Sequence, residues 1–151
     1  MTDAARIREA VAADAGALAP LSAQLGYPAD AATIARRLGH ITARRAGVVL
    51  VAVDARGGVL GFAQAEPRRL VFTEPFVELA ALVVAETARG HGVGATLLDA
   101  IEAWARGRGF ASLRVRSNVV RERAHRFYLR EGFAEKKRQT VFEKRVRDRN
   151  D

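Results

Sequence analysis

Short apolar runs alternate along the chain with stretches in which apolar positions recur every three to four residues, the pattern of a mixed α/β protein. Arg6-Ile7-Arg8-Glu9-Ala10 alternates as a short strand does. Asp14 then opens an Ala- and Leu-rich stretch to Gln24 that predicts a helix with Asp14 as its N-cap, ended at Tyr27-Pro28. Ala29 to Leu38 returns to helical spacing, with Ile34 and Leu38 four apart and Arg36-Arg37 on the other side. Val48–Val53 and Val59–Ala65 are β-type runs joined by Asp54-Ala55-Arg56-Gly57-Gly58, whose glycines accept the positive φ of a hairpin loop, so an antiparallel pair is expected.

Beyond a polar loop holding Pro67 and Pro75, Phe76–Ala85 is apolar nearly throughout, as expected of a central strand covered on both faces. Glu78 is the exception within it. Gly92 to Arg106 places Val93, Leu97, Ile101 and Trp104 on one stripe, an amphipathic helix ended by Gly107 and Gly109. Phe110–Arg116 reads as a strand. Val120–Glu131 reads as a helix with Ala124, Phe127 and Tyr128 inward, stopped by Gly132, and Thr140–Val146 as a strand that closes the sheet. The order β-α-α-β-β-β-α-β-α-β predicts one α/β domain with a mixed sheet over residues 1–147, followed by a short polar tail at 148–151.

At 151 residues, 49% hydrophobic and 28% charged, the chain can bury a core without staples. It contains no cysteine, which excludes disulfides, thiolate nucleophiles and Cys-ligated zinc; with only His40, His91 and His125 as imidazoles, no metal site is expected. Met1 to Ala10 carries charges and no apolar leader core, and the longest apolar runs are far too short to cross a bilayer, so the expected setting is the cytoplasm without a membrane partner. The net charge of +8 is uneven, because 15 of the 25 basic residues but 6 of the 17 acidic ones lie from Arg106 onward. That asymmetry suits a polyanionic partner, whether nucleic acid, an acidic protein or a phosphorylated cofactor, and equally a solvated surface.

The chemistry concentrates in Leu79-Ala80-Ala81-Leu82-Val83-Val84-Ala85-Glu86-Thr87-Ala88-Arg89-Gly90-His91-Gly92-Val93-Gly94: a buried strand, a glycine-rich turn, then a helix. Glycines let a ligand approach the backbone, and the unpaired N–H groups at a helix start favour phosphate oxygens. Gly90-x-Gly92-x-x-Ala95 also satisfies the dinucleotide pattern of Rossmann domains. That pattern normally follows the first strand and has an acidic residue about 20 positions on. Here only about 55 residues remain, and the next strand ends in Arg114-Val115-Arg116-Ser117-Asn118 without Asp or Glu, although an Arg suits a 2′-phosphate.

Arg89-Gly90-His91-Gly92-Val93-Gly94 resembles the acetyl-CoA signature Arg/Gln-x-x-Gly-x-Gly/Ala of the GNAT N-acetyltransferase family. Asn118 followed by Ala124-His125-Arg126-Phe127-Tyr128-Leu129-Arg130-Glu131-Gly132-Phe133 resembles that family's second block. The resemblance is close over residues 76 to 134. It implies an enzyme that moves an acetyl group from acetyl-CoA to a primary amine of a small molecule or peptide, by direct attack in a ternary complex and without a metal. It further implies that Leu82, Val83 and Val84 present backbone to the pantetheine arm and that the N–H groups of Arg89, Gly90, His91, Gly92, Val93, Gly94 and Ala95 take the diphosphate. Asn118 would face the pantetheine or acyl region. Tyr128 matches the family's general acid toward the departing thiolate, a position that also suits a core aromatic, and Glu78 matches the glutamate that some members use as base, where a merely solvated carboxylate also fits. A backbone N–H near Val83 or Val84 would polarise the thioester carbonyl. A homodimer is a further expectation from the family; a nucleic-acid or acidic-protein binder on the same fold, or an NADP-binding oxidoreductase, are the alternative readings.

Overall fold

The computed structural model describes residues 4–117 and 121–148. Along them run β1 (Arg6–Glu9), α1 (Ala15–Leu25), α2 (Ala31–Arg44), β2 (Val48–Val53), β3 (Val59–Arg68), β4 (Phe76–Val84), α3 (Val93–Gly107), β5 (Leu113–Val115) and α4 (Glu122–Arg130). The chain divides into two units, Met1–Arg116 and Ser117–Asp151. The first contains a five-stranded sheet in the order β1-β2-β3-β4-β5, antiparallel as far as β4 and parallel between β4 and β5.

Alternation along the strands sends side chains to two different layers. Val51, Phe62 and Val83 lie opposite one another in register, and with Val49 and Val53 they pack against Leu18 and Leu21 of α1 and Leu38 of α2. The opposite face is lined by small residues, with Ala52 and Gly61 in register and Ala63 and Ala65 fully buried. Leu97, Leu98 and Ile101 of α3 are buried there. A side chain at Gly61 would meet the Val83 carbonyl at 2.5 Å and Leu97 Cδ1 at 3.4 Å, so glycine at this position lets α3 approach the sheet. Removing a side chain such as Leu97 from water contributes about 1.5–3 kcal/mol.

The helices depart from their expected ends for local reasons. Asp30, with extended backbone, accepts the Thr33 N–H at 2.7 Å and starts α2 at Ala31 rather than Ala29. Asp14 stands before α1 but does not cap it; its carboxylate accepts the Val11 N–H and two hydrogen bonds from the Arg8 guanidinium, each at 2.8 Å. β3 runs on to Arg68 and includes Pro67, which pairs with Val77. β2 pairs only as far as Ala65, so Pro67 has no strand on its other side to require its missing N–H.

The closing strand expected over Thr140–Val146 is not formed. Residues 133–148 carry neither helix nor strand, and Val141, Phe142 and Val146 are 82%, 91% and 89% exposed. A β-branched run favours extended backbone, but pairing requires an edge in register and cover for one face; here the adjacent Val141 and Phe142 are both uncovered. β5 is likewise shorter than Phe110–Arg116, with three residues in register with β4.

Candidate active site

A 3-10 turn over Glu86–Ala88 leads from β4 into the glycine loop. Gly90 and Gly92 take φ of +84° and +78°, the left-handed region that favours glycine. Nothing lies within 4 Å of where a Cβ would project at either position, so the loop backbone is open from outside. Gly92 is the N-cap of α3, and the first helical hydrogen bond is the one from the Thr96 N–H to the Gly92 carbonyl, 3.0 Å long. The N–H groups of Val93, Gly94 and Ala95 therefore have no partner within the helix and sit at its positive end. Arg89 and His91 are exposed beside them. This backbone fits a diphosphate.

β4 carries an irregularity between that loop and Glu78. Gln64 pairs with Ala81 and Ala65 with Leu79, which leaves Ala80 as the extra residue of a β-bulge. Ala80 is exposed in the middle of the strand. β5 is in register with Val77, Glu78 and Leu79 only, so among the described residues no strand continues beside Ala80–Val84 on that edge. The Ala85 N–H donates to Leu60 at 2.8 Å and so faces β3. By alternation Val83 turns its peptide groups to β3, while those of Leu82 and Val84 face the open edge. Gln24 Nε2, from the last turn of α1, donates to the Val84 carbonyl there at 2.7 Å.

Phe62, Gln64, Glu66 and Arg68 alternate on one face of β3, the face that Phe62 shares with α1 and α2. Glu66 lies opposite Glu78, and Glu78 opposite Arg114, in a row across three strands. Glu78 is half-buried, with 19% of its side chain exposed, and its Oε1 is 3.3 Å from Arg116 Nε. The Glu66 carboxylate accepts from Gln64 Nε2 at 3.4 Å and lies over Gly47, where a Cβ would come within 2.6 Å of its Oε1. The Arg114 guanidinium stacks 3.9 Å from the Phe76 ring centroid. A cleft of about 380 Å³ lined by Ala46, Pro67, Arg69, Arg108 and Phe110 lies past the C-terminal end of α3, away from the glycine loop at its N-terminus.

Tyr128 belongs to α4 in the second unit, where Phe127 and Phe133 meet its ring edge-on, each at 5.4 Å between centroids. Burial pushes the phenol above its ordinary value, against a smaller lowering by the Arg121 charge. Its O–H is thus held protonated at neutral pH. Asn118 lies outside the described residues. The structure thus brings Glu78, Leu82, Val84 and the loop Arg89–Ala95 together along one strand and its turn. Sequence reasoning missed Gln24, Arg116 and the bulge at Ala80; the first two are polar residues distant in sequence from the strand they touch, and a bulge within a continuously apolar run leaves no periodic trace.

The strand, open backbone loop and helix start match a known arrangement. Residues 20–133 match the Acetyltransferase (GNAT) family, and the chain belongs to that family. It is 34% identical to aminoglycoside N(6')-acetyltransferase type 1 of Stenotrophomonas maltophilia over 146 residues, 94% of each chain. Its fold is similar to that of aminoglycoside N-acetyltransferase AAC(6')-Iy solved in complex with CoA, with TM-score 0.82 and 22% identity, covering 94% of this chain and 95% of the other. It is equally similar in fold to aminoglycoside 6'-N-acetyltransferase AAC(6')-Ih of Acinetobacter baumannii, with TM-score 0.82 and 18% identity, covering 94% and 99% of the two chains. The protein is an N-acetyltransferase that uses acetyl-CoA as acetyl donor to an amine; the nucleic-acid-binding and oxidoreductase alternatives are not favoured. No described helix is long and apolar enough to cross a membrane.

Proposed function

We propose that the chain acetylates a primary amine of a small molecule by direct attack within a ternary complex, in one cytoplasmic catalytic domain spanning residues 1–147. The observation that carries this reading is the bulge at Ala80 beside a strand edge along which no strand continues among the described residues, leading into the open loop Arg89–Ala95. The loop N–H groups hold the diphosphate, and the peptide groups of Leu82 and Val84 run along the pantetheine arm, with Val83 fixing the strand to β3. An N–H at the open edge polarises the thioester carbonyl, the type of electrostatic contribution that dominates acyl transfer.

The amine nitrogen attacks the acetyl carbonyl carbon, the C–N bond forms and the C–S bond breaks. The nitrogen sheds its proton toward Glu78, directly or through a water, and the departing thiolate takes a proton from the Tyr128 hydroxyl. The aminoglycoside in the name of the 34% identical relative supports a small-molecule amine as the acceptor class. Calorimetric titration with acetyl-CoA, with NADPH and duplex DNA as controls, tests the reading; heat at micromolar acetyl-CoA alone and amine-dependent CoA release are expected. Binding to a control with silence toward acetyl-CoA overturns it. Light scattering tests the homodimer that the family resemblance suggests.

A further inference from the structure

The sheet face beside the bulge carries charges of both signs in a fixed order. Glu66 and Glu78 are direct cross-strand neighbours, a pairing that places their Cβ atoms about 4.5–5.5 Å apart. Like charges so placed repel, and the structure separates them: the Glu66 carboxylate folds back over Gly47 and Glu78 turns to Arg116. Arg68 follows Glu66 on the same face, about 7 Å along the strand. Its Nε is buried and has no hydrogen-bond partner among the described residues. Arg114, opposite Glu78, rests on the Phe76 ring and forms no described ion pair.

A buried guanidinium donor left unpaired is costly, and a carboxylate bound to the rest of the guanidinium would offset its charge. Two carboxylates beside two arginines that have no carboxylate partner among the described residues suit a ligand that brings its own cation and its own anion. We infer that the acceptor is a zwitterion: a small amine that also carries a carboxylate, such as an amino acid or short peptide, with its amine at Glu78 and Glu66 and its carboxylate at Arg68 and Arg114. This inference rests on the acetyl-transfer reading above and narrows its acceptor. A polycation such as an aminoglycoside brings several ammonium groups to a face on which Arg68, Arg114 and Arg116 outnumber the two carboxylates, and that chain-wide excess of +8 does nothing to attract.

The test compares matched acceptors with and without the carboxylate: lysine against cadaverine, a dipeptide against its C-terminal amide, and kanamycin as polycation. Amine-dependent CoA release and equilibrium binding to the CoA-saturated protein are both read. The carboxylate-bearing partner of each pair is expected to show at least about tenfold higher kcat/KM and tighter binding, a preference that Arg68→Gln and Arg114→Gln each reduce while the KM for acetyl-CoA holds. Equal or better binding of the amides, cadaverine or kanamycin overturns the inference, whether or not any of them is acetylated. Failure to bind acetyl-CoA itself is a separate result that removes the acetyl-transfer reading.

Discussion

Glu78 and Arg116 form an ion pair across the mouth of the β4–β5 junction, Oε1 to Nε 3.3 Å, with the carboxylate largely shielded and the guanidinium 65% exposed. The carboxylate lies two residues before the bulged Ala80, shielded, while its arginine stands mostly in solvent. Glu78→Gln is expected to lower turnover and to move the rising limb of the pH–rate profile upward, because the amine must then lose its proton unaided. An unchanged profile removes Glu78 from proton transfer.

The Tyr128 phenol is protonated at neutral pH, the state an acid needs, and burial raises it further above its ordinary value. Tyr128→Phe keeps the ring contacts with Phe127 and Phe133 and removes only the hydroxyl. Turnover is expected to fall by roughly 10²-fold or more with little change in acetyl-CoA affinity. Steady-state kinetics that match the wild type refute the acid role.

Gly92 combines a positive φ with open space above it. Gly92→Ala is expected to cost about 1–2 kcal/mol in stability through the left-handed backbone alone, and to weaken acetyl-CoA binding by displacing the loop N–H groups. Thermal denaturation and calorimetry read the two effects separately. Unimpaired affinity in the folded variant indicates that the diphosphate is held elsewhere.

Asp14 is 6% exposed and receives hydrogen bonds from Arg8 and from the Val11 N–H. The Arg8 hydrogen bonds, foremost, hold its carboxyl below the ordinary value. A depressed folded-state pKa contributes stability that is complete above the unfolded value of about 3.9 and is lost as pH falls through the folded one. Asp14→Asn is expected to cost about 2 kcal/mol at neutral pH and to flatten the acid limb of the stability curve below about pH 4. Denaturant melts at pH 7 and pH 3 check both, and an equal loss at the two values contradicts the linkage.

How far the sequence speaks depends on whether local or distant residues decide a feature. β2 is legible to the residue, since a run apolar at every position admits one reading beside a Gly-rich hairpin loop. The glycine loop is legible because its chemistry resides in the backbone, and glycines mark where that backbone is bent. The Arg8–Asp14 pair is hidden, because a helix start beginning with Asp looks the same whether the carboxylate turns to the helix or to a strand. The expected strand over Thr140–Val146 shows the opposite error: propensity is local and pairing is not. The Glu66–Glu78 juxtaposition is likewise invisible, as the register across the β3–β4 bulge exists only once both strands have formed.

The two halves of the site are made of different materials. The proposed cofactor half is built from peptide groups, whose positions depend on glycine φ angles and on one inserted residue at Ala80. The proposed acceptor half is built from side chains standing on a finished sheet. On that reading, substitutions at 64, 66, 68 and 114 would change the choice of amine while the peptide groups that take the donor stay in place, so lineages sharing this scaffold could diverge in substrate by point mutation without passing through a form that has lost its acetyl donor.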